Sequence, residues 1–190
     1  NARVIEEFPG EVGQYQFSHA VIQQTLGDEL SLTRRVRVHS RVAVAFEELY
    51  RDDLTAHAET LAYHFDQAQT IHGTEKVVTY SVMAGHAALE SLGYDEALAH
   101  FSRANEARGD DPVDDELAEI LFGLGRAEIY SLTGGADQNR GLGRLVEAFD
   151  HFRSQDDMAR AAQVTIVPYQ GVALPNSATL TVKAPEYLTP

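Results

Sequence analysis

Cysteine is missing from all 190 residues, so neither a disulfide, a thiolate metal ligand nor a thiol nucleophile is available to this chain. The absence fits a reducing, cytoplasmic setting. Lysine occurs twice, as Lys76 and Lys183, and the phosphate-cradling pattern Gly-x4-Gly-Lys-Ser/Thr is absent. Gly134-Gly135 and Gly141-x-Gly143 are read as lying between helices rather than after a strand, which argues against a nucleotide site. No Gly-x-Ser-x-Gly elbow occurs. No run approaches the roughly 20 apolar residues of a membrane helix. The start at Asn1 lacks Met and the basic-then-apolar order of a signal peptide, so the chain reads as a fragment of something longer. Expected cofactors are none, and no membrane partner is expected.

Basic charge is also scarce. The formal net charge is −14, with 9 acidic and 6 basic side chains in residues 1–53 against 20 and 9 in residues 54–190. That excess repels phosphate backbones, so the segment itself is not expected to bind nucleic acid. A solvated acidic surface is the plain reading of the charge, and an acidic docking site the sharper one.

With 44% apolar residues the chain has enough hydrophobic side chains for one sizeable core or two small ones. The most organised stretch runs from Gly85 through Tyr94, Ala97, Phe101 and Ala104. Its small residues let two helix backbones approach, and its two aromatic rings fill the crossing. The spacing Gly-x8-Tyr-x2-Ala-x3-Phe-x2-Ala resembles a tetratricopeptide repeat, a helix-turn-helix unit. One such unit cannot bury its own apolar face, so the expected fold is mainly α, a solenoid of antiparallel helix pairs preceded by a short β-hairpin.

Residues 4–17 carry short apolar alternations either side of Pro9-Gly10, with Val12, Tyr15 and Phe17 favouring strands, which predicts that hairpin. Ser18 is placed to cap a helix over 19–30, and Ser31 or Thr33 to cap a second. In the second helix Val38, Val42, Ala45, Phe46 and Leu49 form an apolar stripe, while Arg34, Arg37 and Arg41 line another face with Arg35 beside them. Cations in a first turn oppose the helix dipole by ~0.3–1 kcal/mol each. A contact to phosphate or to an acidic neighbouring domain would offset this; the plainer alternative is a solvated or internally paired face.

A third helix is expected over 54–68, with Leu54, Ala58, Leu61, Ala62 and Phe65 on one side. A fourth runs over 75–92 through Val78, Val82, Gly85 and Leu89. A fifth spans 94–108 and is ended by Gly109-Asp-Asp-Pro112. Asp114 or Asp115 opens a helix to about Leu132. Gly125, 40 residues after Gly85, marks a second repeat, lengthened by a loop over 133–141. Leu142, Leu145, Val146, Phe149 and Phe152 form its returning helix. Asp156 is placed to cap a last helix to about Val167, where Pro168 stops it. Gly171, Pro175, Pro185 and Pro190 divide the tail.

For chemistry, His57 and His64 stand seven residues apart, ~10 Å along a helix axis, which is too far to share a metal. The spacing is not that of His-Glu-x-x-His. With Glu59 between them they define a competing expectation, a small α-helical enzyme. Structural histidines with satisfied partners are the plainer reading, for these and for His86 and His100. No metal and no catalytic residue is assigned.

Tyr15-Gln-Phe-Ser-His-Ala-Val-Ile-Gln-Gln-Thr-Leu26, then Leu30-Ser-Leu-Thr-Arg-Arg-Val-Arg-Val-His39 and Val42-Ala43, resemble the junction after the ATPase module of STAND-type bacterial signalling ATPases. These include large LuxR-type transcriptional regulators and ATPase-linked adenylate or guanylate cyclases. The matching residues are Tyr15, Phe17, Ser18 and His19, which in that family close a winged helix, and Arg34, Arg35 and His39, which lead into tetratricopeptide-like repeats. Leu61-Ala-Tyr-His-Phe65, Ala84-Gly-His-Ala-Ala88 and Val167-Pro-Tyr-Gln-Gly-Val-Ala173 continue the likeness, while Gln23-Gln24 and Val36 and Val38 depart from it. The resemblance implies a winged-helix remnant and linker helix over 1–53 and helical repeats over 54–190, the last incomplete. It further implies a noncatalytic cytoplasmic sensor segment, whose partners are the parent's other domains and a protein or small-molecule effector, with Arg34, Arg35, Arg37 and Arg41 as an interdomain contact.

Overall fold

The computed structural model describes residues 4–7, 15–17, 25, 29–109, 112–131 and 135–167. Two short strands, β1 (Ile5–Glu7) and β2 (Tyr15–Phe17), pair antiparallel with Ile5 opposite Phe17 and Glu7 opposite Tyr15. The Pro9-Gly10 turn lies outside the described residues, as do most of the helix expected over 19–30 and the whole tail beyond Val167. The helices are α1 (Leu32–Leu49), a 3-10 turn (Thr55–His57), α2 (Ala58–Asp66), α3 (Gln69–His72), α4 (Glu75–Glu90), α5 (Tyr94–Arg108), α6 (Asp115–Tyr130), α7 (Gly135–Ser154) and α8 (Met158–Ile166). From α4 onwards each helix packs chiefly on the next. That is the nearest-neighbour order of a helical solenoid, and it agrees with the expected fold class.

Burial follows the same order. Ala43 of α1 meets Leu61, Ala62 and Phe65 of α2 and Val77 and Tyr80 of α4. Val78 and Leu89 then join Ala97, Phe101 and Ala104 of α5 and Ile120, Leu124 and Ala127 of α6. Leu117, Leu121 and Ile129 of α6 pack with Leu145, Phe149 and Phe152 of α7 and Ala161 and Val164 of α8. The middle cluster turns on Phe101, whose ring fills a slot between two glycines. A Cβ at Gly85 would lie 2.7 Å from the ring and one at Gly123 2.3 Å, so both positions admit only hydrogen. Tyr94 stands at the edge of this cluster, its ring 5.2 Å from that of Tyr130.

Helix ends are closed by local chemistry. The Asp114 carboxylate accepts the Leu117 N–H at 2.9 Å and starts α6, and that bond, with the Arg108 guanidinium, holds the carboxyl below its usual range. Gly73 and Gly109, at φ +73° and +76°, follow α3 and α5 in the left-handed region that glycine enters without steric cost.

Four expectations need correcting. Ser31 stands before α1, but its hydroxyl makes no capping bond. α8 is capped by Asp157, which accepts the Arg160 N–H at 2.9 Å; Asp156 instead adopts φ +60° in the turn. The helix expected over 54–68 is broken at His57, with only Ala58–Asp66 regular, so His57 lies outside the helix that carries His64, although both rings face Phe46 of α1, at 6.4 and 6.3 Å between centres. The expected 133–141 loop is largely helix: α7 begins at Gly135 and carries Gly141 and Gly143 inside it. Gly141 is there because α7 crosses α6 closely. A Cβ on it would meet the Gly125 carbonyl oxygen and Glu128 Cβ, each at 3.0 Å.

Candidate functional site

The first feature is the seam by which α1 joins the stack. Its buried residue is Ala43, whereas Val38 and Leu49 of the expected apolar stripe are 47% and 70% exposed. The face that meets α2 and α3 sets polar groups beside Ala43 and Phe46. His39 Nδ1 lies 2.9 Å from His64 Nδ1, and the Ser40 hydroxyl lies 2.8 Å from His72 Nε2. Glu47 accepts hydrogen bonds from Lys76 and from the Tyr80 hydroxyl. Burial alone would raise the Glu47 carboxyl, but those two donors bring it below its usual range.

The His39–His64 pair makes this seam pH-sensitive. Burial depresses both imidazoles below their ordinary value of 6.5; Arg35 adds to the effect on His39, and His39 to that on His64. Also facing the pair are the rings of Tyr63 and Phe46. Because the folded pair resists protonation, its contribution to stability is fully present above pH ~6.5. It is lost as the pH falls through the lower folded values, where the unfolded chain takes up more protons. Urea midpoints measured from pH 7.5 down to 5.5 will therefore fall, and the fall will be shallower in His39→Gln/His64→Gln. Equal slopes in the two proteins would remove the pair as its source.

Arg34, Arg37 and Arg41 project from α1 as exposed side chains, and none of the three forms an ion pair among the described residues. Arg35 is half-buried, with its Nε lacking a hydrogen-bond partner. Beside the arginines, Val38, Val42, Val44 and Ala45 line a shallow depression of about 720 Å³ that Arg41 and Glu48 border. α1 thus combines a partly polar inner seam with an apolar and basic outer face.

The second feature is a groove of about 540 Å³ where the 3-10 turn and α2 approach α4 and the start of α5. Ala84, Ala87 and Ala88 supply its apolar floor, and Glu59 and Glu96 stand exposed at its rim. His100 also lines it. That imidazole is only 8% exposed, and its Nδ1 has no hydrogen-bond partner. Burial holds it below its ordinary pKa; Glu59 and Glu96 pull the other way and Arg103 adds to the lowering. The ring is neutral at pH 7 as a result. His100 shares a helix face with Ala97, Phe101 and Ala104, so sequence spacing already points it inward, as expected of a structural histidine, but its Nδ1 is left without a partner. His86, by contrast, is partnered: its Nε2 lies 3.1 Å from Glu119 Oε1.

The three residues of the competing enzyme reading do not come together. His57 stacks on Tyr50 with ring centres 3.6 Å apart, His64 meets His39, and Glu59 faces the groove. Among the described residues no group of three His, Asp or Glu side chains is placed to hold a metal ion. Nor is any described helix long and apolar enough to cross a membrane. Of the predicted repeat positions, Ala97, Phe101 and Ala104 are fully buried together, and Gly85 is against Phe101. Compared with protein-family models, with curated proteins and with solved structures, the chain matches none.

Proposed function

We propose that the chain is a noncatalytic sensor and scaffold segment of a multidomain cytoplasmic signalling ATPase whose output is transcriptional. In this reading the helical stack receives a protein or small-molecule effector, and α1 passes the resulting movement to the parent's ATPase module. The observation that carries the reading is the two-sided character of α1. Its inner face is held by side-chain hydrogen bonds, and its outer face offers apolar side chains beside three arginines that form no ion pair among the described residues. Such a face suits an acidic surface, where each charge-assisted hydrogen bond contributes ~1.5–3 kcal/mol. The sequence resemblance at Arg34, Arg35 and His39 supports the same placement.

Reversal of the charge tests it. Arg34→Glu/Arg37→Glu in the parent will change basal ATPase or output activity. The same double substitution in the 190-residue chain will not lower its stability, because both side chains are exposed and exchanging Arg34 for an anion in the first turn of α1 favours the helix dipole. Unaltered output with normal folding would reduce the cluster to a solvated face. The chain alone, incubated with ATP and magnesium, will give no turnover; hydrolysis above a heat-treated control would overturn the noncatalytic reading. Salt-dependent binding of mixed-sequence DNA would reassign the arginines to phosphate.

A further inference from the structure

We propose that the groove between α2, α4 and α5 binds an organic cation, an alkylammonium or guanidinium group of the kind that ends a lysine or arginine side chain. The proposal rests on reading the chain as a binding module and names what it binds.

The argument is one of donors and acceptors. Glu59 and Glu96 bring two carboxylates to the rim from different helices, and neither is engaged in an ion pair among the described residues. A carboxylate can only accept hydrogen bonds. The Ser91 hydroxyl spends its proton on the carbonyls of Ala87 and Ala88, at 3.1 and 3.0 Å, and keeps its lone pairs for the groove. His100 is 92% buried with its Nδ1 unpartnered, and in the tautomer that carries the proton on Nε2 this nitrogen is a further acceptor. Among the described residues no lysine or arginine lines the groove, although Arg103 stands near enough to act on His100. A surface that accepts nearly everywhere calls for a ligand that only donates, and ammonium with three N–H bonds or guanidinium with five is that ligand.

Shape agrees with charge. The alanine floor gives methyl groups for a methylene stem to lie on, with the charged head held at the carboxylates. The volume falls within the ~300–1,000 Å³ of ordinary ligand pockets. Among the described residues no three His, Asp or Glu side chains are placed to hold a metal ion, which leaves the two carboxylates of the groove to an organic cation.

Titration of the 190-residue chain by NMR or calorimetry tests the proposal, with N-acetyl-arginine amide, a short Lys/Arg peptide and agmatine as probes. N-acetyl-citrulline amide, the neutral near-isostere, is the control. Binding is expected for the cationic probes and not for citrulline. Glu59→Gln and Glu96→Gln should each weaken it about tenfold or more. Ala88→Leu, which fills the floor while leaving the charges in place, should abolish it in a protein that still melts cooperatively. Tighter binding of the peptide than of agmatine identifies a partner's side chain as the source, and the reverse order a free amine. The proposal is overturned if the cationic probes fail to bind at about 10 mM, tenfold above a Kd of ~1 mM. It is equally overturned if citrulline binds as well, or if Glu59→Gln/Glu96→Gln binds unchanged. A failed titration removes the cation site and leaves the noncatalytic reading standing, whereas ATP turnover would remove that reading without touching the titration.

Discussion

Phe101→Ala will lower the stability of the chain by about 3–5 kcal/mol, the range for deleting a fully buried aromatic ring. The ring joins α4, α5 and α6, lying against Gly85 and Gly123, and these two glycines have no side chains to fill the space it would leave. In a stack whose helices contact mainly their neighbours, weakening that junction separates the folding of α1–α4 from that of α6–α8. Thermal unfolding followed by circular dichroism will therefore shift down and broaden towards two steps. A double-mutant cycle sharpens the claim. Gly123→Ala overpacks the ring, at a cost of roughly 1–3 kcal/mol. Phe101→Leu frees space at that contact, so the two substitutions together will cost less than their sum. Strict additivity, or a Phe101→Ala protein that melts like the parent, would refute the slot.

Removing both arginines that face Glu128 will have an effect of similar size. Glu128 lies in α6 with its side chain 1% exposed, and its Oε1 accepts from Arg140 Nε at 2.6 Å and from Arg144 Nη1 at 3.1 Å. An uncompensated charge at such a site costs about 3–5 kcal/mol. Arg140→Met/Arg144→Met will therefore destabilise the chain by about that amount in urea unfolding. Either single substitution, which leaves one guanidinium in place, will cost less. Adding Glu128→Leu to the double variant will restore most of the loss, because it removes the buried charge. If the triple variant unfolds as easily as the double, lost arginine packing rather than the stranded carboxylate would be the cause.

Much of this architecture is legible in the chain. The fifth predicted helix coincides with α5, Tyr94–Arg108, because Gly93 and Gly109 punctuate it and Ala97, Phe101 and Ala104 recur at helical spacing. Such signals depend on neighbours three to seven residues away. The start of α7 is different. Glycines at 141 and 143 read locally as loop residues, yet Gly141 is needed where α7 crosses Gly125, and Arg140 is held there by Glu128 from another helix. The orientation of α1 was equally hidden. Its apolar periodicity predicts burial of Val38 and Leu49, but the neighbours it meets turn Ala43, Phe46 and the polar side chains that bond His64, His72 and Lys76 inward instead.

The candidate groove belongs to the same divide. Spacing alone turns His100 inward, and the acidic character of Glu96 at the start of α5 is local helix chemistry. Only the packing of α2 against α4 brings Glu59, 37 residues before Glu96 in the chain, to the same rim and leaves an imidazole nitrogen without a partner between them. The sequence by itself determined helix periods, breaks and small-residue contacts, since these are set within a turn or two of backbone. Which faces meet, which charges are buried and which acceptors stay unsatisfied was decided by tertiary structure, because each depends on atoms that distant residues place within a few ångströms.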